Sequence, residues 1–93
     1  MSNVRSGRDI DSALVKKGFQ RFSDGDHVRY RFYVSDCDDP VARTKISHGA
    51  LGITISAKLL SLMARQLRLT KKQFLELIDC TLDEDDYREI VNR

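Results

Sequence analysis

The sequence predicts an α+β domain: a three-stranded antiparallel sheet with helices on one face, in the order α-β-β-β-α-α-α. Three observations predict it. Val28, Tyr30, Phe32 and Val34 alternate with His27, Arg29, Arg31 and Tyr33, the period of a half-buried strand. Short polar connections join this segment to a strand candidate on either side, which makes a meander. Beyond Thr54 the apolar spacing changes to three and four residues and stays helical. A small sheet covered on one side by helices is a two-layer α+β arrangement.

Each element has its own signal. Residues 9–17 read as a helix because Ile10, Ala13, Leu14 and Lys17 share one stripe, with the Lys17 stem lying along apolar surface and its amine reaching water. Gly18 stands where a helix end wants a left-handed residue. A short strand over 19–22 leads into a turn at 23–26, with Asp24-Gly25 as the hairpin signal. The alternating strand runs over 27–35, and residues 36–40 form a polar loop closed by the only proline. The third strand covers 41–47, with Ala42, Thr44 and Ile46 facing one way and Arg43 and Lys45 the other.

A helix starting near Thr54 or Ser56 carries Ile55, Leu59, Leu62, Met63, Gln66 and Leu67 as its apolar stripe. Thr70 to Gln73 fits a capping box and opens a helix with Phe74, Leu77 and Ile78. Thr81 to Glu84 fits the same box and opens a last helix with Tyr87, Ile90 and Val91. One domain spans 1–93, with 79–93 as a C-terminal helical extension.

Composition narrows the function classes. Apolar residues make up 41% and charged residues 32% of 93 positions, as in globular domains. No apolar run is long enough to span a membrane, and residues 1–11 lack the apolar stretch of a signal peptide, so a cytoplasmic protein without membrane contact is expected. Cys37 and Cys80 suffice for neither a zinc site nor a disulfide framework, and read as free thiols in a reducing compartment. No metal or other cofactor is expected. The net charge of +2 does not mark a nucleic-acid binder, but its distribution is uneven. Basic residues outnumber acidic ones over 16–72, while residues 82–93 hold five acids against two arginines. Acids at a helix start also complement the helix dipole.

The polar side of the central strand is the functional candidate. With the apolar set facing the helices, His27, Arg29, Arg31 and Tyr33 lie on the open side, beside Arg43 and Lys45 of the next strand. Arginines suit phosphate oxygens, and tyrosine and histidine suit bases or ribose. Like charges across strands are destabilising, so their accumulation points to a polyanionic partner such as RNA; a merely solvated sheet face is the plain alternative. By spacing alone His27 is a surface histidine, with no nucleophile pattern, metal cluster or Gly-rich phosphate loop near it. His48 is a second candidate for the site, or simply ends the third strand before Gly49. Asp24 and Asp26 read as turn chemistry.

The ordered pieces Lys17-Gly18-Phe19, Gly25-Asp26-His27, Tyr30-Arg31-Phe32, Lys45-Ile46-Ser47-His48, the leucine-rich stretch 59–67 and Leu69-Thr70-Lys71-Lys72-Gln73-Phe74 form a pattern. In this order and spacing, over about residues 10–77, the chain resembles the HicA-type toxins of bacterial and archaeal toxin–antitoxin pairs. The resemblance implies a fold like the double-stranded-RNA-binding domain and metal-independent cleavage of messenger RNA. It implies His27 as the catalytic residue, acting as general acid or base on a ribose hydroxyl or leaving oxygen. Arg29, Arg31 and Lys45 would then hold the phosphate, and a HicB-type antitoxin would cover the face. The chain departs from the family pattern in three places. Asp26 stands where a small Ser or Thr is usual, the 36–40 loop is longer and more acidic, and 79–93 passes the usual family end. A non-catalytic RNA- or protein-binding module of the same fold is the alternative function.

Overall fold

The computed structural model describes residues 4–34 and 38–92. Its elements are β1 (Arg5–Ser6), α1 (Gly7–Lys16), β2 (Gln20–Asp24), β3 (His27–Phe32), β4 (Ala42–Ser47), a 3-10 turn (His48–Gly52), β5 (Thr54–Ile55), α2 (Ala57–Gln66), α3 (Lys71–Ile78) and α4 (Glu84–Val91). The main sheet is antiparallel in the order β2-β3-β4, and β1 and β5 form a separate two-stranded pair. The α+β class and the three-stranded meander are as the sequence predicts. The β1–β5 pair is an addition, with Arg5 opposite Ile55 and Ser6 opposite Thr54.

β3 alternates strictly: Val28, Tyr30 and Phe32 are buried, while His27, Arg29 and Arg31 are half-buried. Three helices meet the inner face. Tyr30 donates its hydroxyl to Asp11 of α1. Thr44 of β4 donates to Gln66 of α2 at 2.6 Å. Phe32 packs edge-on against Tyr87 of α4, ring centroids 4.8 Å apart, and Phe19 lies 5.1 Å from Phe32 and 5.3 Å from Tyr87. Each such aromatic pair is worth about 0.5–1.5 kcal/mol beyond its buried area. The segment expected as a C-terminal extension is therefore bound into the core through Tyr87, whose hydroxyl donates to the Leu67 carbonyl at 3.0 Å, and through Val91.

Helix starts follow local capping. Ser6, Ser56 and Thr70 accept from the backbone N–H three residues on, and Thr70 with Gln73 forms the expected capping box. The last box shifts: Asp83 and Asp86 cap α4, in place of Thr81 and Glu84. Asp83 has the extended backbone a cap needs, whereas Thr81 turns its hydroxyl back to the Glu76 carbonyl at 3.2 Å and helps close α3. The three helix ends share one geometry. Gly18, Arg68 and Cys80 have φ of 93°, 64° and 67°. The following N–H reaches back to Leu14, Ala64 and Glu76, the bond of a Schellman motif. Gly18 is the natural residue there, and its missing side chain also leaves room for the Glu84 carboxylate.

Other expectations are corrected. β3 stops at Phe32, so Val34 is only half-buried and Tyr33 lies beyond the strand. Residues 35–37, including part of the expected loop, fall outside the described residues. Leu62, placed on the α2 stripe, is 50% exposed, because the buried face of α2 is made by Leu60, Met63 and Ala64. β2 runs over Gln20–Asp24 and is exposed along its whole length, a polar edge strand. Lys17 is 5% exposed, more deeply buried than the expected side chain whose amine reaches water.

Candidate functional site

The hairpin sets the geometry. Asp24 pairs with His27, so the loop is two residues, Gly25 and Asp26, and not the four expected. Gly25 takes the positive φ of 58° that such a tight hairpin demands of its first loop residue. This register places Gln20, Phe22 and Asp24 beside Arg31, Arg29 and His27. On the other side, Ser47, Lys45 and Arg43 stand opposite His27, Arg29 and Arg31. The open face is thus a three-strand surface centred on His27, Arg29 and Arg31.

Two like-charge pairs face each other directly across the β3–β4 ladder, Arg29 with Lys45 and Arg31 with Arg43. Such pairs cost stability unless something offsets them. Arg29 finds an offset: its Nε donates to Asp24 at 2.9 Å. Asp24 is therefore a member of the face and not only a turn residue, which corrects its reading as turn chemistry alone. The Arg31 guanidinium lies over the Phe22 ring, 4.8 Å from its centroid. Arg43 and Lys45 are exposed, and neither has an ion-pair partner among the described residues. The four cations line one depression of about 400 Å³, which reaches Gln66 at the end of α2.

The structure separates the remaining candidates. His27 sits at the hairpin end of the face, half-buried between Asp24 and Ser47, and among the described residues its ring has no hydrogen-bond partner. The Asp24 carboxylate nearest it in register is engaged by Arg29. His48 leaves the set: it opens the 3-10 turn, and its Nε2 lies 3.1 Å from the Ser23 hydroxyl. Ser23 pairs with Val28 of the inner set, so this contact belongs to the other side of the sheet. Tyr33 follows the end of β3, outside the ladder with Arg43 and Lys45. Asp26 is an exposed loop residue whose carbonyl accepts from the His48 N–H at 2.9 Å.

Sequence reasoning missed Phe22 and the Asp24 pairing. The signal was present: a two-residue Gly25-Asp26 loop puts Phe22 opposite Arg29 by counting alone.

Two tyrosines are poor candidates for ionisation. Burial, then the Asp11 hydrogen bond, push the Tyr30 phenol well above its ordinary range. Burial does the same to Tyr87. Among the described residues no group of three His, Cys, Asp or Glu side chains could hold a metal ion. Among them also, no helix is long and apolar enough to cross a membrane. Compared with protein-family models, with curated proteins and with solved structures, the chain matches none.

Proposed function

We propose that the chain binds RNA through the open face of β3 and β4, and that it cleaves RNA there with His27 as general acid or base, in the manner of the HicA-type toxins it resembles. One observation carries the binding part: Arg29 stands opposite Lys45 and Arg31 opposite Arg43 on the open face, and among the described residues a carboxylate pairs with only one of the four. A polyanion relieves that repulsion, and a line of phosphates supplies charges to both strands. His27 lies at the end of the same face, and among the described residues its ring has no hydrogen-bond partner, as a proton-transfer group toward a ribose 2′-hydroxyl requires. Arg31 and Lys45 would stabilise the charge developing on the phosphate. A HicB-type antitoxin would bind by covering this face.

A second reading, a binding module without catalysis, is favoured by one feature. The Asp24 carboxylate is held by Arg29, and among the described residues no group hydrogen-bonds the His27 imidazole. One experiment separates the readings. Purified chain and His27→Ala are incubated with a long RNA in a chelator, and binding is measured in parallel at low salt. Fragments from the parent chain only, with equal binding by both, establish the nuclease. Binding without fragments establishes the module. No binding at low salt refutes RNA recognition and leaves a protein as the partner of this face.

A further inference from the structure

We infer that Phe22 and Arg31 together form a stacking platform for an unpaired nucleobase, so that the RNA taken by this face is single-stranded; the inference rests on the RNA-binding reading. Phe22 is 37% exposed and contributes nothing to the core cluster. It stands between Gln20 and Asp24 on an edge strand whose five residues are all exposed. A single apolar residue in water is ordinary. This one is distinguished by its neighbour, because the guanidinium packed on its ring at 4.8 Å belongs to the cationic set itself.

The geometry has a chemical consequence. A guanidinium laid on an aromatic ring presents a second flat surface, and bases stack on both aromatic rings and arginine planes. In a duplex the base faces are already covered by their neighbours, so only an unpaired base gains from the platform. The gain is tolerant of sequence, because every base has a π-face. Arg43 and Lys45 lie on β4, two strand spacings or roughly 10 Å from β2. One single strand crossing the sheet would therefore place a base on the β2 side and its phosphates on the β4 side. Arg31 serves both, as a charge and as a plane.

The test uses the full chain and three fluorescent RNA probes titrated at one salt concentration. These are an unstructured single strand, the same sequence as a duplex, and a strand of equal length whose bases are replaced by abasic ribose. The parent chain is expected to bind the single strand about tenfold more tightly than the abasic strand, the scale of one stacked base, and also more tightly than the duplex. Phe22→Leu, which keeps an apolar side chain on the edge strand, should lose that preference, and Phe22→Tyr should keep it. Arg43→Gln should weaken all three probes together. Equal binding of intact and abasic strands by the parent chain overturns the platform while leaving RNA binding in place. So does an undiminished preference in Phe22→Leu. Failure of every probe to bind at low salt removes the RNA-binding reading, and the platform with it.

Discussion

The two faces of β3 come from alternate residues of one six-residue strand, yet their polar groups are treated in opposite ways. On the inner face Tyr30 donates to Asp11, Thr44 donates to Gln66, and no buried side-chain nitrogen or oxygen among the described residues lacks a partner. On the outer face like charges stand opposite one another, and Asp24 compensates one of them. The inner face obeys the rule that burial makes an unpaired polar group expensive. The outer face escapes it, because water screens charges that a low-dielectric interior would not. Stability should therefore depend on the first face and recognition on the second, and substitutions can test that division.

The largest effect is expected from Tyr87→Ala. It empties the place where α4 meets Phe19 and Phe32, and removal of a buried aromatic costs about 3–5 kcal/mol. Urea denaturation measures it, and the folded fraction should bind RNA like the parent chain. A loss below about 1 kcal/mol would mean that α4 is an appendage after all, and the inner face would need another explanation.

Asp11→Ala comes next. It leaves the Tyr30 hydroxyl without its acceptor, at a cost of about 1–3 kcal/mol. Its exposed ion pair with Arg21, 2.7 Å in length, adds little. Adding Tyr30→Phe should recover part of the loss, since removing both partners of a hydrogen bond is nearly neutral. No recovery in the double variant would place the cost elsewhere than in this bond.

Asp24→Asn sharpens the contrast from the other side. Its ion pair with Arg29 is exposed, so unfolding stability should change by less than about 0.5 kcal/mol. The face proposed to bind RNA, however, gains a fourth uncompensated cation. The slope of log affinity against log salt for a single strand should steepen from about −2 to about −3. An unchanged slope would show that Arg29 does not meet a phosphate.

The smallest effect lies off both faces. The two-fold hydrogen bond from Arg5 holds the Asp79 carboxyl below its usual range. A carboxylate depressed in the folded state stabilises above its ordinary pKa, and the contribution disappears as pH falls through the folded value. Asp79→Asn should therefore lower stability slightly at neutral pH and converge with the parent chain in acid. The gap should stay small, because the carboxylate is 44% exposed. A gap that widened on acidification would contradict the pairing.

The sequence by itself determined the features that depend on residues close along the chain. The alternation of β3 and β4, the inner and outer assignment of Val28, Tyr30, Phe32, Ala42, Thr44 and Ile46, the Thr70 capping box and the Gly18 helix end are all local, because side-chain period and capping act within a turn or a strand. Tertiary structure decided what local signals leave open. It chose Asp83 over Thr81 as the cap of α4, and it put Arg68 and Cys80 into left-handed backbone that sequence alone would reserve for glycine. It paired β1 with β5 across most of the chain, and it drew Tyr87 between Phe19 and Phe32. The candidate site divides in the same way. Arg29, Arg31, Arg43 and Lys45 share a face through strand alternation. Their direct opposition, the capture of Arg29 by Asp24, the cation–π contact of Arg31 with Phe22 and the departure of His48 all depend on the pairing register. Register is set by one tight loop and by burial of the opposite face, because a shift of one residue would exchange the two faces of the strand.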